Sequence, residues 1–155
     1  MLLLAGCAGV DAMSPTPPAT PEGPALTLLP GPELRGAARV TVTGTGFDQS
    51  KGIYVAFCVQ PEPGEPPTPC GGGVDTTGST SASAWISSNP PAYGKDLASQ
   101  YGPGGSFEVP LLVRPRIGDV DCREVVCGIA TRADHTRSTD RSQDVFIPIT
   151  FKENQ

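Results

Sequence analysis

The chain is short of the residues on which most site chemistry rests. Its 155 residues include a single histidine, His135, so no second imidazole is available to build a metal set around it. Lysine and arginine number 11 against 16 aspartates and glutamates, for a net charge of −5, and the basic residues form no stripe. A protein that neutralises phosphates concentrates positive charge, so direct nucleic-acid binding is not expected. No G-x-S-x-G elbow or other nucleophile context occurs among the many serines, which argues against an enzyme. No C-x-x-C pair occurs either, which disfavours both a structural zinc site and a thioredoxin-like redox site. Stretches free of helix breakers are also scarce. With 19 glycines and 18 prolines, nearly every long segment is interrupted, and an all-β domain rich in turns is the natural reading.

What is present begins with five cysteines: Cys7, Cys58, Cys70, Cys122 and Cys127. Leu4-Ala5-Gly6-Cys7 fits a bacterial lipobox, in which the cysteine after a small residue is lipidated and becomes the mature N-terminus. The apolar start reads as the end of a truncated signal peptide, 1–7, which lacks a basic region and a longer apolar stretch; either the true start lies upstream of this Met1 or the N-terminus is not processed. Residues 8–24, "AGVDAMSPTPPATPEGP", are rich in Pro, Thr, Ser and Ala and form an extended, solvated tether. The expected location is the outer face of a cell membrane, as a lipoprotein, or the medium if the anchor is absent. Lipidation of Cys7 leaves four cysteines, an even set that pairs in an oxidising compartment. Three connectivities are possible. The simplest joins Cys58 to Cys70 and Cys122 to Cys127, each closing a short loop worth roughly 2–3 kcal/mol in the chain-entropy view.

The folded domain is expected from about Ala25 to Phe151, with 152–155 as a tail. "ALTLL" reads as a first strand ended by "PGPEL". "ARVTVTGTGF" sets Val40 and Val42 against Arg39, Thr41 and Thr43, a half-buried strand. "GIYVAFCVQ" puts Ile53, Val55, Phe57 and Val59 on one face and Tyr54, Ala56 and Cys58 on the other. "SASAWISS", "SFEVPLLV", "CREVVCGIAT" and "DVFIPITF" supply four more, with Pro110 suited to an edge strand and "KDLASQY" to a single helical turn. About seven alternating strands with turn signals between them predict a seven-stranded, antiparallel, immunoglobulin-like β-sandwich with two local disulfides.

In this order the segments resemble the neocarzinostatin family of actinomycete apoproteins. The resemblance rests on "VTVTGTGF", "GIYVAFCV…PC", "GPGGSFEVPLLV" and "GDVDCREVVCGIATRADH…QDVFIPITF", and the ordered cysteines are its most specific part. It implies a seven-stranded sandwich with two short-loop disulfides and an open cleft at one end. In characterised members that cleft holds and protects a labile enediyne chromophore. The cysteine pair in "DVDCREVVCGIATR" implies a disulfide-pinned hairpin and marks the cleft end. The chain departs from the family at Gln60, where an aromatic residue helps line the family cleft, and it adds sequence between about Val74 and Gly105.

Tyr54, Trp85, Tyr93 and Tyr101 are the candidate ring residues of a ligand cleft, since amphipathic rings suit concave sites. The competing reading places Trp85 in the core, with the two loop tyrosines bracing a Pro-rich excursion. In "RADHTRSTDRSQD", Asp134, Asp140 and Asp144 with Arg132, Arg137 and Arg141 suggest a self-paired, solvated loop. His135 lies in that loop with nothing in the sequence to orient it. The function expected is a non-catalytic, lipid-anchored surface module of an actinobacterium that binds a ligand or a surface protein through its end loops. The alternatives are a carrier or sequestering protein for a hydrophobic small molecule, such as an antibiotic chromophore, and a haem-uptake accessory using His135. No metal or resident cofactor is expected. If the four cysteines pair, reduction of the exported protein will add four hydrogens to its intact mass; free thiols at Cys122 and Cys127 before reduction would refute the pairing.

Overall fold

A computed structural model of the chain describes residues 9, 13–16, 23–71 and 82–153. Cys7 and the proposed signal lie outside the described residues, as does most of the proposed tether. Among the described residues ten strands follow in order: β1 (Ala25–Leu29), β2 (Glu33–Leu34), β3 (Ala38–Thr45), β4 (Ile53–Val59), β5 (Ser83–Ile86), β6 (Phe107–Val113), β7 (Arg116–Ile117), β8 (Val120–Asp121), β9 (Cys127–Ala133) and β10 (Val145–Phe151). The strands of four or more residues are the seven expected from alternation: β1, β3, β4, β5, β6, β9 and β10. The other three span two residues each, too short for alternation to register.

β1, β3 and β6 form a three-stranded sheet, and β2, β10, β9, β4 and β5 form a five-stranded one. The long strands pair antiparallel, whereas β2 joins β10 in parallel through Glu33 and Leu34. Thus "PGPEL" is more than the turn expected of it. Its last two residues extend the second sheet, and Lys152, in the proposed tail, pairs with Glu33 at 2.6 Å. β6 is an edge strand, the position in a sheet that tolerates proline, and Pro110 is exposed there.

The inner faces of the two sheets meet in one core. Val40 and Val42 of β3 and Leu111 and Val113 of β6 face Ile53 and Val55 of β4 and Ile129 of β9, all fully buried. β4 is also apolar on its outer face, where Ala56 and Cys58 join Ala130, Cys70 and Phe146 in a second, smaller cluster. The Cys58–Cys70 bond folds the loop after β4 back onto that strand, helped by backbone hydrogen bonds from Val59 to Pro69 and from Gly71 to Phe57. The Cys122–Cys127 bond closes the turn that carries the chain from β8 into β9. The hairpin of this region is therefore β7–β8, just before the cysteines rather than between them. Among the described residues no helix is long and apolar enough to cross a membrane.

Leu111→Ala should lower unfolding stability by about 2–5 kcal/mol, because the packed sheets on either side cannot close the void. Denaturant unfolding of both proteins will measure it; an unchanged midpoint would show that β6 does not seal the core.

Candidate functional site

The outer face of the five-stranded sheet carries three rows set by register. Phe146, Ala130, Ala56 and Ser83 lie across β10, β9, β4 and β5. On one side of that row, Arg132, Tyr54 and Trp85 cross β9, β4 and β5. On the other, Pro148, Gly128 and Cys58 cross β10, β9 and β4. Tyr54 and Cys58 share this face four residues apart, about 13 Å along the strand. Glycine is required at 128, where an added Cβ would fall 2.1 Å from the Ile147 carbonyl oxygen and 2.8 Å from the Phe146 ring.

At the Tyr54 end the chain builds a dense polar and aromatic cluster. Asp134 follows β9 directly and is only 2% exposed. Its Oδ1 accepts from the Thr136 backbone N–H at 3.0 Å and from the Thr136 hydroxyl at 2.5 Å, capping the short 3-10 helix His135–Arg137. Its Oδ2 accepts from the Trp85 indole N–H at 2.9 Å. Charge-assisted bonds of this kind are what make a buried carboxylate tolerable. The approach also depends on Gly52, since an added Cβ there would lie 1.9 Å from Asp134 Oδ2.

The cap aims His135 back over the sheet. Its Nδ1 hydrogen-bonds the Tyr54 hydroxyl, and its Nε2 bonds the Tyr93 hydroxyl at 2.5 Å. Both ring nitrogens are thereby engaged, each by a tyrosine hydroxyl. Trp85 meets the imidazole edge-on with ring centres 5.3 Å apart, and Tyr54 lies 6.1 Å from Trp85. Tyr93 arrives from the 3-10 helix Ala92–Gly94 in the long loop after β5, and is 66% exposed. Burial pushes the Tyr54 hydroxyl above the usual tyrosine range; a backbone hydrogen bond with His135 opposes this and the Asp134 charge adds to it. Beside the cluster lies a polar depression of about 420 Å³, lined by Ser50, Ser87, Asn89, Asp134, Thr136 and Arg137 among others.

Three of the four candidate rings, Tyr54, Trp85 and Tyr93, thus converge, and they do so around His135. Tyr101 stands apart. It is 8% exposed, its ring lies 6.4 Å from Phe107, and its hydroxyl donates to the Lys51 carbonyl at 2.9 Å. The acid–base loop is not self-paired as expected. Only Arg141 and Asp144 pair within it, at 3.1 Å, while Asp140 pairs with Lys51 at 2.9 Å and Asp134 turns inward. Hydrogen bonds from Ser142, then from Lys51, hold the Asp140 carboxyl well below its usual range. His135 was unreadable as a hub because its partners lie 81 and 42 residues away; only "Asp134-His135-Thr136", an Asx-type cap, hints at a fixed geometry. Haem ligation by His135 would first have to break one of its two tyrosine bonds. Among the described residues no group of three His, Cys, Asp or Glu is placed to hold a metal ion.

No family model and no curated protein matches the sequence. Among solved structures, macromomycin matches with a TM-score of 0.53 at 20% identity, covering 84% of this chain and all of that one. At this identity the likeness is one of fold. The neocarzinostatin-like sandwich implied by the sequence resemblance is present, with disulfides Cys58–Cys70 and Cys122–Cys127.

Burial, with the charges of Asp134 and Asp48, also pushes the Tyr101 hydroxyl up strongly. A raised acid pKa means the folded state holds its proton after the unfolded chain has released it. Stability from this source is complete below the ordinary tyrosine value of about 10 and is lost as pH rises above it. Alkaline denaturation should therefore begin near that pH and flatten in Tyr101→Phe; an identical alkaline slope in the variant would contradict the assignment.

Proposed function

We propose that this domain is a non-catalytic carrier that holds a hydrophobic small molecule against the outer face of the five-stranded sheet. The observation that carries the reading is the convergence of Tyr54, Trp85 and the exposed Tyr93 around His135, beside a depression of about 420 Å³. The depression leaves room for a ligand, while the rings beside it offer stacking surface. Each 100 Å² of apolar ligand surface covered would contribute about 2.5 kcal/mol before ordering costs. The sandwich likeness to macromomycin and the resemblance to chromophore-holding apoproteins support the same reading.

The proposal includes an anchor: lipidated Cys7 and the tether 8–24 would stand the carrier off the outer face of an actinobacterial cell membrane. A second reading is favoured by the exposure of Tyr93 and Leu97 on the loop after β5, where two apolar side chains face outward together. In that reading the loop docks a surface protein.

Trp85 is the only tryptophan, so its emission reports the site directly. Titration with anthracene should quench it saturably, and Tyr93→Ala, which removes the exposed ring, should weaken binding about tenfold or more. Quenching that never saturates, or that Tyr93→Ala leaves unchanged, would overturn the carrier reading. With an intact export signal the protein should enter the membrane fraction of its host and leave it in Cys7→Ser; two soluble proteins would refute the anchor.

A further inference from the structure

His135 is held between two phenols, one on each ring nitrogen. Nδ1 bonds the Tyr54 hydroxyl, and Nε2 bonds the Tyr93 hydroxyl at 2.5 Å. An imidazole is a base of the right strength to take a phenol's proton once the phenol has lost an electron. Burial pushes the Tyr54 hydroxyl above the usual tyrosine range, so it still holds its proton at neutral pH. Trp85 lies against both partners, its ring centre 5.3 Å from that of His135 and 6.1 Å from that of Tyr54. Tyr93 is 66% exposed and puts one end of the cluster in reach of a dissolved reagent. Tyr101 supplies the contrast. Its hydroxyl donates to the Lys51 carbonyl, and an amide oxygen is too weak a base to accept the proton. The four described cysteines are tied up in two disulfides, so none of them offers a thiol to a radical.

We propose that the Tyr54–His135–Tyr93 triad is a redox site, the place where this chain gives up an electron to a one-electron oxidant such as a peroxyl radical or an oxidising metal complex. The inference stands apart from the carrier reading. A tyrosine in water must shed its proton to solvent or buffer as it is oxidised. Here the acceptor is already hydrogen-bonded to it. In the step, one electron passes from the phenol to the oxidant, the O–H bond breaks, and the same proton forms an N–H bond on His135. The products are a neutral tyrosyl radical, an imidazolium and the reduced oxidant. The ring nitrogen that carries no hydrogen takes the proton, so the tautomer decides which of the two tyrosines reacts. Where the oxidant takes an electron from Trp85 first, the adjoining tyrosine refills the indole and its proton goes to the imidazole, with the same end product. The Asp134 cap on the short helix His135–Arg137 keeps the imidazole positioned for this transfer.

The test treats the intact protein with photogenerated tris(bipyridine)ruthenium(III) in mildly alkaline buffer, where imidazoles are neutral. The visible absorption of tyrosyl and tryptophanyl radicals is the readout. In the wild-type protein the radical should settle on tyrosine, and its rate of formation should stay constant as phosphate is raised, because the base is built in. N-acetyltyrosinamide, which depends on the buffer for its proton acceptor, should speed up over the same series. His135→Phe should slow tyrosyl formation about tenfold and make it depend on phosphate. Tyr101→Phe should change neither rate nor yield. Replacing both Tyr54 and Tyr93 by Phe should leave the radical on Trp85. A wild-type rate that climbs with phosphate as the model compound's does, or a wild-type radical that stays on Trp85, would overturn the inference. Both are read on the wild-type protein, so the result stands even if a variant fails to fold.

Discussion

Strand β4 is apolar on both faces, and a strand of that kind must be covered twice. One face, Ile53, Val55 and Phe57, is closed by the three-stranded sheet, which brings Val40, Val42 and Leu111 against it. The other face has no sheet to cover it. It is closed by local means: a disulfide that folds the following loop back, the Phe146 ring from β10, and the small residues of β9. The arrangement of the molecule follows from this asymmetry. The inner face makes the sandwich, and the outer face is sealed in its middle by the disulfide loop and Phe146, which leaves the Tyr54 end for the ring cluster.

The candidate site belongs to that outer face because of strand periodicity. Tyr54, Ala56 and Cys58 share one side of β4, so a ring, a small buried residue and a disulfide follow one another along it. The neighbouring strands repeat the scheme with Arg132, Ala130 and Gly128 on β9. What gives the Tyr54 end a defined shape is Asp134. Its buried carboxylate fastens the Trp85 indole, caps the 3-10 helix and thereby aims His135 at Tyr54 and Tyr93. Four segments distant in sequence are held together by one carboxylate that can approach only because residue 52 has no side chain.

Legibility in the sequence varied with the range of the interaction. The seven longer strands were readable because alternation is a property of neighbours. The inward sets of β3, β4 and β6 are buried as their pattern predicts. The two-residue strands were not readable, and β2 was taken for a turn. Its pairing with β10 is set by where the chain returns more than a hundred residues later. Tyr93 and Tyr101 looked alike, two tyrosines in one Pro/Gly-rich loop. One is largely exposed and the other is core, and nothing within eight residues of either distinguishes them.

By itself the sequence determined the class of fold, the apolar faces of the long strands and the supply of cysteines for local bonds. Each of these depends on residue type and spacing within a strand or a short loop. The tertiary structure alone decided that His135 is a hub and that Asp134 is buried rather than a surface ion. Those are outcomes of register. A strand's neighbours are chosen by the packing of the whole sheet, and a polar side chain's role depends on which partners that packing places beside it.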